Sequence, residues 1–212
     1  MPIWDLSPPL SSATAPFPGD PPYRQRWAAR IGPDSPVNVA EIALSVHLGA
    51  HADAPLHYRA DGEPVGRLAL APFLGPCRVA HCLGSGLIGV ATLRAALAAA
   101  GAGQPLPPRV LVRSRERTPA DWTPTFAAFA PEAIDWLAAQ GVVLVGIDTP
   151  SVDPADSAEL PSHHRLAALD LRVLENLCLD AVAPGDYELI ALPLPLLEAD
   201  ASPVRAVLRR PD

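Results

Sequence analysis

The chain has 212 residues, 49% of them hydrophobic and 18% charged, which is the balance of a globular protein rather than a disordered one. Its formal net charge of −7 lacks the basic footprint by which proteins hold nucleic acid or anionic membranes, so a small-molecule or protein partner is expected. The 27 prolines and 14 glycines imply many loops on a folded body, and the length suits one domain, residues 1–212, with a substantial core.

The start, MPIWDLSPPLSS, shows neither the cationic nor the apolar segment of a secretory signal, and no apolar run approaches the ~18 residues of a membrane span. A soluble, cytoplasmic protein is expected. Between Ser7 and Pro36 the prolines of SPPLSSATAPFPGDPPY disfavour helix and central strand, predicting an irregular arm of the kind that lines pockets. Asn38–Val46 alternates like a strand and leads towards HLGAHADAPLHY, His47 to Tyr58. Cys77–Cys82 predicts a strand, and this reading is preferred over a metal site at Cys77, His81 and Cys82. Three cysteines, an odd number with no CxxC pair, suit a reducing compartment. Thr92–Ala100 reads as a helix stopped by Gly101 and Gly103, and Arg109–Arg113 as a strand. Pro131–Gln140 has proline at a helix start, acidic residues in the first turn and Gly141 as a stop. The next run, GVVLVGID, is short and continuously apolar, as for a strand buried on both faces. Arg165–Asn176 reads as helical, with Tyr187–Leu192 and Val204–Leu208 as closing strands. Interleaved strands and helices predict an α/β or α+β fold with a mixed sheet.

His47, Gly49, His51, Asp53, Pro55 and His57 all stand at odd positions, so an extended chain would carry them on one face. On a helix, at ~100° per residue, Asp53 would lie roughly 200° from His51, which excludes a helical zinc motif. Fully extended, His47 and His57 would be about 33 Å apart at ~3.3 Å per residue, so the chain must bend to gather them. Gly49 and Pro55 are the natural places, and His47, His51 and Asp53 would then converge. Two imidazoles and a carboxylate suit Zn²⁺ or Mn²⁺, and the carboxylate can bridge a second ion. The plain alternative, surface histidines in a proline-rich loop, fits a single histidine better than three at regular spacing. PSHHRLAALDLRVLENL adds the pair His163–His164 and Glu175, which taken alone reads as a solvated helix charge.

The motif H-x-G-x-H-x-D-x-P-x-H resembles the signature of the cyclase-like metal hydrolase family. The likeness continues through FPGDPPY, GVVLVGIDTPSVDPADS, LPSHHRL and GDYELIALPLPLLEADASPVRAVLR, so that it covers nearly the whole chain. GIDTPSVDP and SPVRAVLR are similar to the formamidase branch. The resemblance implies a swivelling β/β/α fold, homodimers and two divalent ions per subunit, usually zinc, with Mn²⁺ or another ion as alternatives. By position, His47, His51 and Asp53 would hold the first ion; Asp53, His163 and Glu175 would hold the second, with Glu175 touching both. His163 is preferred to His164 because its spacing to Glu175 matches the family pattern. His57 would be the proton donor and acceptor. Two departures stand out: Phe17 replaces a frequent tryptophan before PGD, keeping an aromatic wall for substrate, and Leu48 replaces a frequent threonine.

The activity so implied is hydrolysis of N-formyl-L-kynurenine to L-kynurenine and formate, in tryptophan degradation. Metal coordination lowers the pKa of water from 15.7 to about 7, supplying the nucleophile, and a histidine relay protonates the poor anilide leaving group. Phe17, with Trp4 or Trp27, would flank the aromatic ring. The alternatives are another amide or cyclic-amide hydrolase of the family, acting on a compound such as isatin, and a catalytically silent metal-binding protein. No G-x-S-x-G elbow, P-loop or dinucleotide glycine pattern occurs.

Overall fold

In the computed structural model, which describes residues 2–101 and 103–210, the most continuously apolar runs of the sequence become the middle of a nine-stranded sheet. In chain order the elements are β1 (Ile3–Asp5), β2 (Arg24–Ala29), β3 (Val39–Ala43), β4 (His51–Asp53), α1 (Pro55–Tyr58), β5 (Leu74–His81), β6 (Gly86–Ile88), α2 (Val90–Gly101), β7 (Arg109–Arg113), β8 (Ala127–Phe129), α3 (Pro131–Ala139), β9 (Leu144–Ile147), α4 (Pro161–Ala168), β10 (Arg172–Glu175), β11 (Gly185–Ile190), β12 (Ala201–Pro203) and β13 (Val207–Arg209). The sheet order is β1-β13-β11-β5-β7-β9-β10-β4-β12. Its centre, β5-β7-β9-β10, is parallel, and the flanking pairs are antiparallel. This is the mixed-sheet α+β architecture expected.

The period of two along the central strands divides the core. Leu111, Leu144 and Leu174 face one side with Leu6, Phe73 and Leu177. Val110, Val112, Val145, Ile147 and Val173 face the other, against Leu93 and Leu97 of α2, Ile134 and Leu137 of α3, and Leu166 of α4. Strands covered on both faces need no polar alternation, and each such buried side chain contributes about 1.5–3 kcal/mol. Gly146 on β9 lets the layers close: a Cβ there would lie 2.5 Å from Leu111 Cδ2.

Four expectations change. Arg165–Asn176 is not one helix: α4 ends at Ala168, Asp170 turns the chain at φ 54°, and β10 follows. RVLE pairs with β9 on one side and β4 on the other, and this burial outweighs its helix propensity. Asn38–Val46 does not feed the cluster; β3 stops at Ala43 and pairs with β2 from within the supposedly irregular arm. His51–Asp53 is itself a strand, fully buried. Val204–Leu208 is interrupted, with β12 before it and β13 overlapping its end; Pro203 is tolerated because β12 lies at the sheet edge. Cys77 and Cys82 are buried and free, and His81 Nε2–H donates to the Val182 carbonyl at 2.9 Å, as the strand reading required. Among the described residues no helix is long and apolar enough to cross a membrane.

Candidate metal centre

β4 lies between β10 and β12, and its antiparallel register with β10 sets Asp53 opposite Val173 and His51 opposite Glu175. Alternation then puts His51, Asp53 and Glu175 on one face of the sheet. Gly49 bends the chain before them at φ 72°, a left-handed conformation with Leu10 Cδ2 only 2.5 Å from where a Cβ would stand. The bend returns His47 to the same place. Pro55 opens α1, whose third residue is His57. His163 arrives from the first turn of α4, buried, while His164 beside it is exposed.

Asp53 is the hub. Its Oδ1 lies 3.1 Å from His47 Nδ1 and 3.3 Å from His51 Nε2, and its Oδ2 lies 3.5 Å from His163 Nε2. Glu175 closes the ring, 3.4 Å from both His51 Nε2 and His163 Nε2. All five groups named for the two ions are thus brought together.

Each imidazole is anchored by its far nitrogen. His51 Nδ1–H donates to the Gly49 carbonyl at 2.8 Å, and His163 Nδ1–H to Asp153 Oδ2 at 2.7 Å. His47 Nε2 meets Asp200 Oδ2 at 3.0 Å. Such outer bonds fix the tautomer and turn the other nitrogen inward, as oriented metal ligands require. Asp153 also accepts the backbone N–H groups of Ser162 and His163, at 2.9 and 3.0 Å, so one carboxylate caps α4 and aims its histidine. Among the described residues His51 Nε2, His163 Nε2 and both Asp53 oxygens are buried atoms with no well-formed hydrogen bond. Four such atoms facing one another fit a cation, because unpaired buried polar groups are otherwise costly. His51, Asp53 and Glu175, and separately His47, Asp53 and His57, can each bring ligand atoms within 4.8 Å of one another.

The charge balance agrees. Burial alone would lower the pKa of His51, but the Asp53 and Glu175 carboxylates outweigh it and push the imidazole up to about 10. His163 is likewise raised well above the ordinary value, burial being overcome by Asp153, Asp53 and Glu175. Burial would raise Asp53, yet the imidazoles of His163, His47 and His51 facing it hold its carboxyl well below the usual range. The buried pocket demands positive charge, as protons or as metal.

His57 stands at the mouth of the site, its ring 4.1 Å from that of His47 and its Nδ1 3.1 Å from Asp200 Oδ2. It opens into a cavity of about 250 Å³ lined also by Phe17, His163, Glu175 and Leu160. Trp4 instead packs edge-on against Tyr187, and Trp27 is exposed on β2, so neither flanks this cavity. The aromatic partner of Phe17 is Trp122, edge-on at 5.8 Å. Leu48 is buried beside the histidines. Sequence reasoning did not single out Asp153, Asp200 or Trp122; Asp153 and Asp200 lay within family-like stretches, whereas nothing marked Trp122.

The Cyclase family model matches residues 4–154. The chain is 59% identical to the kynurenine formamidase of Bordetella petrii over 209 residues, 98% of this chain and 97% of that one. It is also 59% identical to the kynurenine formamidase of Bordetella pertussis over 208 residues, again 98% and 97%. Among solved structures, isatin hydrolase A from Labrenzia aggregata superposes with a TM-score of 0.84 at 23% identity, covering 100% of this chain and 94% of its own, which establishes a shared fold.

Proposed function

This chain belongs to the Cyclase family, and on that premise we propose that it is a metal-dependent formamidase that hydrolyses N-formyl-L-kynurenine to L-kynurenine and formate. The observation that carries the metal is the set of inward-facing buried atoms on His51, Asp53 and His163. The 59% identity to kynurenine formamidases carries the substrate, whereas the 23% likeness to an isatin hydrolase concerns the fold.

His47, His51 and Asp53 would hold one Zn²⁺ and Asp53, His163 and Glu175 a second, with Glu175 within reach of both. Divalent ions so held supply Lewis acidity and lower the pKa of water towards neutrality. The protein's own groups do the rest. Val152 N–H donates to Glu175 Oε1 at 2.8 Å, fixing that carboxylate. Asp200, accepting from His57 Nδ1–H, leaves Nε2 to exchange a proton with the substrate. His57 takes a proton from the attacking water and returns it to the anilide nitrogen as the C–N bond breaks, so the leaving group departs as a neutral amine. Phe17 supports the aryl ring in the cavity it shares with His57.

Zinc-loaded enzyme is expected to release formate from N-formyl-L-kynurenine, to lose that activity on chelation and to regain it on zinc restoration. Activity indifferent to chelation would overturn the metal.

The raised pKa values give a second expectation. A raised imidazole contributes stability that is complete below the ordinary histidine value near 6.5 and is lost as pH climbs through the folded value, about 10 for His51. Between those limits the metal-free site is protonated, and loading must expel those protons. Calorimetric metal titrations at pH 7.5 in buffers of different ionisation enthalpy should therefore report release on the order of two protons per site, and zero release would contradict ligation through His51 and His163.

We also assign a homodimer and a cytoplasmic setting. The support for the dimer is the β2–β3 ribbon, where Trp27, Val39 and Ile42 are all exposed hydrophobics on a two-stranded element. A monomer mass by sedimentation would refute it. The free cysteines Cys77, Cys82 and Cys178 suit a reducing compartment, which fractionation can check.

A further inference from the structure

Beside the metal cleft lies a second chamber of about 110 Å³, lined by Phe17, His47, Arg115, Asp121, Trp122 and Asn176 among others. It shares Phe17, His47, Pro150 and Asn176 with the cleft, so the two are neighbours across a common wall. Because ~10–15 Å³ already admits a water, the chamber has room for a group of several heavy atoms but is the smaller of the two spaces.

Its polar lining is unfinished. Among the described residues Arg115 Nη2 and Trp122 Nε1 are buried donors without an acceptor. Arg115 is nonetheless firmly placed: its backbone N–H donates to Asp148 Oδ2 at 2.9 Å, and its guanidinium sits 5.8 Å over the Phe126 ring. Asp148 cannot satisfy the guanidinium fully, since its oxygens already accept Ser114 N–H and Ser114 Oγ–H at 2.9 and 2.6 Å. Trp122 is positioned by its edge-on contact with Phe17. Two unpaired N–H groups, one of them cationic, select a carboxylate, for which the planar guanidinium is the best-matched side chain. Asp121, exposed on the same wall, offers the opposite charge.

We propose that this chamber is the subsite for the amino-acid end of the substrate, with its carboxylate accepting N–H bonds from Arg115 and Trp122 and its ammonium facing Asp121. This rests on the function proposed above: with the formyl group at the metal centre and the aryl ring at Phe17, the amino-acid chain reaches across the shared wall. Arg115 and Trp122 are then specificity residues that act on binding and not on bond cleavage.

The test compares N-formyl-L-kynurenine with formanilide, which has the scissile bond and no amino-acid end, on metal-loaded enzyme. Arg115→Met should raise KM for N-formyl-L-kynurenine ~10–100-fold with kcat little changed, and weaken L-kynurenine binding in parallel by calorimetry. Its kcat/KM on formanilide should be unaltered. Trp122→Phe, which keeps the ring against Phe17 and deletes only the donor, should give the same pattern at ~2–10-fold and tests the subsite independently of how Arg115→Met folds. Equal losses on both substrates, or none on either, would overturn the subsite. Wild-type enzyme that released formate from neither would overturn the functional reading, and the subsite with it.

Discussion

Asp53→Ala is expected to lose both the metal and all measurable formamidase activity. The side chain is fully buried, and its two oxygens face His47, His51 and His163 together. Without it Glu175 alone bridges His51 and His163, His47 loses its inner carboxylate, and all three imidazoles lose one of the charges that sustain their protonated forms. Removing one partner of a buried ionic cluster also destabilises by about 3–5 kcal/mol, so a lower melting temperature of the metal-free protein should accompany the loss. Asp53→Asn, with nearly the same volume, separates the two effects: it should remain folded by circular dichroism and still fail to retain zinc by elemental analysis. Stoichiometric zinc in Asp53→Asn would remove Asp53 from the ligand set.

His57→Ala should do the opposite, retaining metal and losing turnover by ~10²–10⁴-fold. The distinction follows from position. His57 lies on α1 at the cavity mouth, part-exposed, whereas the proposed ligands are drawn from β4, β10, α4 and the bend at Gly49. The ring can therefore be deleted without disturbing the sheet register that assembles the others. Because Asp200 contacts both His57 Nδ1 and His47 Nε2, Asp200→Asn should fall between the two cases, with a turnover loss of ~10–100-fold and some loss of metal affinity. Wild-type turnover in His57→Ala would exclude the proton relay.

What was legible in the sequence was whatever depended on local spacing. The odd-numbered positions from His47 to His57 anticipated both a shared face and a bend at Gly49, because side-chain alternation and glycine's left-handed freedom are properties of a few residues. Arg109–Arg113 and the helix read at Pro131–Gln140, observed over Pro131–Ala139, were legible for the same reason: one has a β-branched apolar centre, VLV, and the other opens on proline and stops at glycine. What failed depended on partners distant in the chain. RVLE follows Leu166, Leu169 and Leu171, whose spacing carried on to Leu174 suits a helix, and pairing with both β9 and β4 makes it a strand; Glu175, which alone reads as a solvated charge, is thereby buried. Asp153 and Asp200 are chemically ordinary until the fold places one beside His163 and the other between His47 and His57. The dependence on family resemblance was greatest at His163, where the adjacent His164 offers the same chemistry and the structure buries one and exposes the other.

The pairing of β4 with β10 joins the first third of the chain to its last. Half of the centre therefore leaves the ribosome long before the other half exists, and the early histidines spend much of synthesis without their counterparts. A slip of one residue in that ladder would turn Glu175 to the opposite side of the sheet while leaving both strands intact. Hydrolytic competence is for this reason a late checkpoint of maturation, passed only by chains in which this long-range strand contact has been made in the right frame.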